Sequence, residues 1–140
     1  MTESISPGAR ILLAEDYEPN AQLLMTALEL EAYEVDLAIN GRIAIDMAQA
    51  ADYAAIIMDI EMPEVDGIAA TQAIREQEQA ANRSPVPILG ISGHNMTSIR
   101  TLCMKAGMNE LIVKPFLPSV LYDHLAVLIS PAGPAQAAAT

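Results

Sequence analysis

Residues 55–63 read Ala-Ile-Ile-Met-Asp-Ile-Glu-Met-Pro, and they give a clear indication of the fold. Its first four residues form a short, wholly apolar run that stops at an acid, Asp59. A strand that is apolar on both faces is typical of the centre of a parallel sheet covered by helices. The stretch therefore predicts a central buried strand at Ala55–Met58 with a carboxylate directly at its carboxyl end.

Similar runs lie on both sides of this strand and alternate with helical patterns. The other predicted strands are Ile11–Ala14, Glu34–Ala38, Ile88–Ile91 and Leu111–Val113, of which Glu34–Ala38 is the least apolar and so lies nearer an edge. The predicted helices are Pro19–Glu31, Arg42–Ala51, Asp66–Gln79, Met96–Ala106 and Leu117–Ile129. Strict alternation predicts an α/β fold with a five-stranded, parallel, doubly wound sheet and helices on both faces. We expect the flavodoxin-like strand order 2-1-3-4-5.

The composition is that of one acidic globular domain. The chain has 140 residues, 52% of them hydrophobic, and a net charge of −11 that disfavours nucleic-acid binding. The single cysteine, Cys103, excludes an internal disulfide and fits a small buried residue in a reducing compartment. Because neither a signal peptide nor an apolar run of ~20 residues is present, we expect a cytoplasmic protein. We predict a domain at residues 9–129, a disordered leader at 1–8 and a disordered tail at 130–140.

Polar residues follow four of the predicted strands, and these are the candidates for chemistry. They are Glu15, Asp16, Asp59, Ser92 and Lys114. In a parallel sheet, the carboxyl ends of the strands lie at one edge, so these side chains should converge there. Clustered carboxylates repel one another unless a cation joins them, and an all-oxygen site favours Mg²⁺. Such a site with a lysine and a hydroxyl suits phosphoryl transfer to a carboxylate.

The motifs at these strand ends resemble those of response-regulator receiver domains of bacterial two-component systems. The matching stretches are Leu12–Asp16, Met58–Pro63 with Asp66-Gly67, Pro87–Gly93 and Lys114–Phe116. The resemblance implies that Asp59 is the phosphoacceptor, that Ser92 binds the phosphoryl group and that Lys114 pairs first with the carboxylate and then with the phosphoryl group. It also implies a magnesium site formed by Glu15 (through water), Asp16, Asp59 and the backbone carbonyl of Glu61. The bond before Pro115 is expected to be cis.

Three positions depart from the family pattern. Leu111 stands where many receivers have an aromatic residue, so we expect an aliphatic repacking in place of an aromatic switch. Ala32 replaces a glycine after the first helix, and Glu31 interrupts the apolar stripe of that helix. His94 is either a residue that controls water access to the acyl phosphate or a plain surface histidine, whereas His124 is not expected to be catalytic.

The predicted function is that of a signalling switch rather than a metabolic enzyme. The chain is expected to take a phosphoryl group from the phosphohistidine of a histidine kinase or histidine-phosphotransfer protein and to signal to a downstream protein. It would catalyse its own phosphorylation and dephosphorylation without being an enzyme in the ordinary sense. We expect no output domain, no membrane association, and a monomer or a weak phosphorylation-linked dimer. The alternatives are a receiver of a hybrid histidine kinase, a degenerate receiver that only binds proteins, a flavodoxin-type electron carrier and a haloacid-dehalogenase-type phosphatase.

Two surfaces are predicted to carry the contacts. The donor should dock beside the acid pocket on the first helix, near Tyr17, Pro19, Asn20 and Leu23, although Leu23 could equally be a core residue. Phosphorylation should then shift the face of the fourth helix, fifth strand and fifth helix, which we expect to include Lys105, Leu111 and Tyr122.

Overall fold

The structure is a computed structural model and describes residues 8–95 and 97–130. Its strands are β1 (Arg10–Ala14), β2 (Glu34–Ala38), β3 (Ala55–Asp59), β4 (Ile88–Ser92) and β5 (Glu110–Val113). Its helices are α1 (Glu18–Leu30), α2 (Gly41–Ala50), α3 (Gly67–Ala80), α4 (Thr97–Ala106) and α5 (Pro118–Ile129). Each predicted boundary lies within one residue of the observed one, apart from Met96, which falls outside the described residues. Most of the predicted leader and tail also fall outside them.

The five strands form one parallel sheet in the order β2-β1-β3-β4-β5, which confirms the predicted topology. β2 lies at an edge and β3 at the centre, as their difference in hydrophobicity predicts. β3 and β4 extend one residue further than predicted, because Asp59 still pairs with Ile91 and Ser92 with Val113 in the ladder. The acid that ends β3 is thereby held by the sheet and does not lie in a loop.

Helices cover both faces of the sheet and produce two cores. One core packs α2, α3 and α4 against the sheet through residues such as Ile45, Ile74 and Cys103. The other packs α1 and α5 through residues such as Leu28 and Leu125. Cys103 is fully buried, as expected for a small core residue. Burial of this apolar surface is the main stabilising term of the fold.

Helices α2 and α3 each begin with a capping side chain followed by a tightly packed glycine. Asn40 caps α2 and Asp66 caps α3, each side chain accepting a backbone N–H at 2.8 Å. Gly67 lies directly against the backbone of Asp59, since an added Cβ would overlap the Asp59 carbonyl oxygen. The start of α3 therefore fixes the backbone that carries the candidate nucleophile.

The sequence departures near the end of α1 have a clear structural outcome. α1 ends at Leu30, so Glu31 is its C-cap and not part of the apolar stripe. Ala32 has φ +66°, in the left-handed region that favours glycine.

Among the described residues, no helix combines the length and hydrophobicity that a bilayer crossing requires.

Candidate functional site: an acidic pocket at the carboxyl edge of the sheet

The carboxyl ends of β1, β3, β4 and β5 bring together the predicted site residues. Glu15 directly follows β1, Asp59 ends β3 and Ser92 ends β4, while Lys114 directly follows β5. The sheet is parallel, so all four positions lie at the same edge.

Three carboxylates form the centre of the pocket. One oxygen from each of Glu15, Asp16 and Asp59 lies within 4.8 Å of the other two. Glu15 and Asp59 are buried, whereas Asp16 is exposed. These acids do not simply cap α1, because its N-cap is Tyr17 and no side chain caps it. Instead, Glu15 accepts a hydrogen bond from the backbone N–H of Tyr17 at 3.1 Å, which holds its carboxylate in the pocket.

The Asp59 carboxyl group is placed where a negative charge is costly. Its exposed fraction is only 3%. Burial, together with a hydrogen bond to the Glu15 carboxyl and the charge of that group, raises the pKa of Asp59 from 3.8 to about 7. Two groups act to lower this pKa. They are the Lys114 ammonium and the Glu61 backbone N–H, which donates to Asp59 Oδ1 at 3.1 Å. A group that gains from a nearby cation is thus built into the centre of the pocket.

Lys114 supplies the cationic side chain of the pocket. Its Nζ lies 3.8 Å from Asp59 Oδ1, and its side chain is 33% exposed. This is an ion pair at the long end of the range, without a short hydrogen bond. The Lys114–Pro115 peptide bond is cis, as the resemblance predicts. The backbone N–H of Lys114 donates to the Ser92 carbonyl at 2.7 Å, which joins the ends of β4 and β5.

Glu61 and Ser92 are connected through their side chains. Ser92 Oγ, fully buried, donates to Glu61 Oε2 at 2.9 Å, and the backbone N–H of Gly93 donates to Glu61 Oε1 at 3.0 Å. Ser92 Oγ also accepts from the His94 backbone N–H at 2.9 Å and lies 3.2 Å from the His94 carbonyl oxygen. This carboxylate contact is not predictable from the sequence, because the resemblance concerns only the Glu61 backbone. Whether that carbonyl binds a metal stays a prediction.

The two histidines lie in different surroundings. His94 is exposed beside the pocket, so its two interpretations both stay open. His124 lies in α5 near Glu110, at the start of β5. Burial acts to raise the pKa of Glu110, but the Leu111 N–H and Arg100, with a smaller contribution from His124, lower it. The start of β5 is the edge of the sheet opposite to the pocket, which agrees with a non-catalytic His124.

An apolar groove of about 330 Å³ opens beside the pocket, between α1 and α5. Its lining includes Asn20, Leu23, Lys114 and Phe116. Leu23 is 72% exposed, so the interpretation of this residue as ordinary core packing is wrong. Its position in α1 directs it to the groove and away from the core cluster.

The face formed by α4 and β5 is held together by one arginine. Arg100 donates to the Glu110 carboxylate at 3.2 Å and to the Leu111 carbonyl at 3.3 Å. Leu111 is buried in the core on the α4 side of the sheet, and its aliphatic repacking on phosphorylation stays a prediction. The placement of Tyr122 on this face is wrong, because its hydroxyl donates to the Ala27 carbonyl of α1 at 2.8 Å.

A parallel sheet with a buried acid, a hydroxyl and an ammonium at its carboxyl edge is the arrangement expected of a phosphoacceptor signalling domain, and comparison with known proteins gives the family. A family model described as the response regulator receiver domain matches residues 11–126. The chain therefore belongs to the response regulator receiver family. Membership of this family shows that the electron-carrier and phosphatase alternatives are wrong.

Individual relatives agree with this assignment. The chain is 36% identical over 118 residues to the sensor protein EvgS of Escherichia coli O157:H7, a match that covers 84% of this chain and 9% of that protein. It is also similar to the receiver domain of sensor histidine kinase PA1611 from Pseudomonas aeruginosa PAO1, whose structure has a magnesium ion in the active-site cleft. The two are 36% identical with a TM-score of 0.76, and the match covers 84% of this chain and 94% of that one. Chemotaxis protein CheY4 of Vibrio cholerae gives 30% identity, a TM-score of 0.77, and coverage of 84% and 96%.

The chain spans only a small part of the curated relatives that it matches first, between 5% and 12% of four of them. It is a receiver domain homologous to those of hybrid histidine kinases and response regulators, which act as phosphoacceptors in two-component and phosphorelay signalling.

Proposed function

We propose that this chain accepts a phosphoryl group on Asp59 in a Mg²⁺-dependent reaction with a phosphohistidine donor. The observation that carries this proposal is the Asp59 carboxyl group itself. It is buried, lies within 4.8 Å of two other carboxylates and has Lys114 as a neighbouring cation. This arrangement is costly for folding, and phosphoryl transfer is a chemistry that uses it.

In the proposed reaction, a carboxylate oxygen of Asp59 attacks the phosphorus of the phosphohistidine. An O–P bond forms, the N–P bond breaks, and the imidazole nitrogen leaves with the bonding electron pair and takes a proton. The backbone N–H of Glu61 holds Asp59 Oδ1 at 3.1 Å and so fixes the orientation of the nucleophile. Lys114 neutralises charge that develops on the transferred group.

The pocket fits a bound magnesium ion by the chemistry of its donors. Glu15, Asp16 and Asp59 offer only oxygen ligands, which hard divalent cations prefer. We assign the ion to these three carboxylates together with the backbone carbonyl of Glu61. When bound, Mg²⁺ would offset the repulsion among the acids and the charge on the phosphoryl oxygens. The magnesium in the PA1611 receiver supports this assignment.

Ser92 and Lys114 provide the response to phosphorylation. The Ser92 hydroxyl lies at the end of β4, next to β3 in the sheet, and can donate to a phosphoryl oxygen. Lys114 connects the same group to the end of β5, where its N–H is bonded to Ser92. Movement of these two residues would bias the α4–β5 face, which contacts the downstream protein, by a shift of population.

The donor is assigned to a histidine kinase or a histidine-phosphotransfer protein, the partners with which receiver domains act. The groove between α1 and α5 is adjacent to Lys114 and presents the exposed Leu23. An apolar helix face of the donor would dock there and bring its histidine in line with Asp59. This chemistry is the same for a separate response regulator and for a receiver of a hybrid kinase.

The test is labelling by acetyl phosphate, followed on a phosphate-affinity gel with Mg²⁺ or with EDTA. We expect one labile phosphate in the wild type with Mg²⁺, none with EDTA and none in Asp59→Asn. Full labelling of Asp59→Asn would contradict the acceptor assignment. Failure of the wild type to label from either acetyl phosphate or a phosphohistidine donor would favour a degenerate receiver.

A further inference from the structure

Glu61 forms a two-point contact at the end of β4 that the proposed function does not use. Its Oε2 accepts from Ser92 Oγ at 2.9 Å, and its Oε1 accepts from the Gly93 backbone N–H at 3.0 Å. Each carboxylate oxygen thus has its own donor. Hydrogen bonds to an ionised acceptor are stronger than neutral ones, so this contact holds the loop after β3 to the end of β4.

The Ser92 hydroxyl has only one proton to donate. Two acceptors are within reach, Glu61 Oε2 at 2.9 Å and the His94 carbonyl at 3.2 Å. The carboxylate is both closer and charged, so it takes the proton. A phosphoryl oxygen on Asp59 that is to bind Ser92 has to replace Glu61 as the acceptor.

The backbone of Glu61 is also tied to Asp59, since its N–H donates to Asp59 Oδ1 at 3.1 Å. The phosphoryl group would therefore form next to the residue whose carboxylate already occupies the two donors. Both groups are anionic, and like charges at short range repel. Glu61 and the phosphoryl group cannot both accept the single proton of the Ser92 hydroxyl.

We infer that the Glu61 carboxylate, anchored by the Gly93 N–H, occupies the Ser92 hydroxyl before phosphorylation and must release it as Asp59 is phosphorylated. This inference rests on the proposed function, because it assigns Ser92 to the phosphoryl group. The contact presets the hydroxyl in the unmodified protein and slows phosphorylation. It competes with any anion that enters the pocket.

The experiment compares Glu61→Ala with Glu64→Ala, a matched control that removes an exposed acid from the same loop. With acetyl phosphate and Mg²⁺, we expect Glu61→Ala to be phosphorylated about tenfold faster than wild type, which corresponds to the loss of one charge-assisted contact. Glu64→Ala should stay within about twofold of wild type. Glu61→Gln keeps the shape and an acceptor oxygen, so it should fall between wild type and Glu61→Ala.

A Ser92→Ala background separates this contact from a general effect of charge. In this background, Glu61→Ala should increase the rate of phosphorylation only about twofold, because the hydroxyl for which Glu61 and the phosphoryl group compete is absent. Equal gains in both backgrounds, or equal gains from the Glu61 and Glu64 variants, would overturn the inference.

A second readout needs no phosphorylation. In the ¹H–¹⁵N spectrum of the unmodified protein, the Gly93 amide should shift upfield in Glu61→Ala and stay in place in Glu64→Ala. An unchanged Gly93 amide would also overturn the inference. Failure of the wild type to label at Asp59, with the Gly93 shift present, would instead refute the proposed function while leaving the contact established.

Discussion

Replacement of Asp59 by asparagine should stabilise the metal-free protein at neutral pH. Burial and Glu15 raise the pKa of Asp59 from 3.8 to about 7. Asparagine removes the charge and keeps an oxygen that can accept the Glu61 N–H. Its NH₂ group can donate to Glu15. The loss of the Lys114 ion pair, at 3.8 Å, acts against this gain but is the smaller effect.

The sign and the size both follow from proton linkage. Below about pH 4 the Asp59 carboxyl group is protonated in the folded and the unfolded protein, so its ionisation costs nothing. Between pH 4 and 7 the unfolded chain ionises while the folded protein does not, and the wild type loses stability as the pH rises. The full shift corresponds to about 4 kcal/mol. Because water reaches the pocket beside Lys114, we expect about 2 kcal/mol, or roughly 6–10 °C in Tm for a domain of this size.

The assay is thermal unfolding in EDTA from pH 4 to pH 8, with Asp16→Asn as the control. Asp16 belongs to the same cluster but is exposed, so its replacement should change Tm much less. The difference between Asp59→Asn and wild type should rise from near zero at pH 4 to its plateau above pH 7, and Mg²⁺ should narrow it by stabilising the wild type. A pH-independent difference, or a less stable Asp59→Asn, would refute the electrostatic reasoning.

Three further changes test other parts of the site. Lys114→Ala should still be phosphorylated by acetyl phosphate, but beryllofluoride should no longer shift the NMR signals of Leu111. Wild-type-like shifts at Leu111 would count against the role of the lysine in connecting the phosphoryl group to β5. Asn20→Arg should slow transfer from a phosphohistidine donor at least about tenfold by blocking the groove, while acetyl phosphate labelling stays unchanged; transfer at the wild-type rate would exclude the groove as the docking site. Gly67→Ala should lower the free energy of unfolding by about 2–3 kcal/mol, because the new Cβ would overlap the Asp59 carbonyl oxygen. Unchanged stability in urea would show that the contact relaxes at little cost.

Much of the fold follows directly from the sequence. Apolar runs ending in polar residues, such as Ala55–Met58 before Asp59, identify both the strands and their functional ends, because burial on two faces leaves little freedom in composition. The small errors at strand ends arise because ladder pairing does not depend on side-chain polarity: Asp59 and Ser92 are polar and still belong to β3 and β4.

Contacts between elements that are distant in the chain cannot be predicted from the sequence pattern. The Glu61–Ser92 bond joins residues 31 positions apart, and nothing in the local sequence of either indicates it. Tyr122 was placed on the wrong face because its position in the chain does not show which side of α5 meets α1. The exposure of Leu23 likewise depends on how α1 packs, since an apolar residue in a helix is equally compatible with a core and with a groove.

The central claim is that Asp59 forms an acyl phosphate. It is tested most directly by phosphorylation with a phosphohistidine donor in Mg²⁺, reduction with borohydride and peptide mass spectrometry. Borohydride converts an aspartyl phosphate to homoserine and so marks the acceptor itself. We expect homoserine at position 59 and at neither Glu15 nor Asp16. Reduction at another residue, or no reduction in protein shown to be phosphorylated, would contradict the assignment.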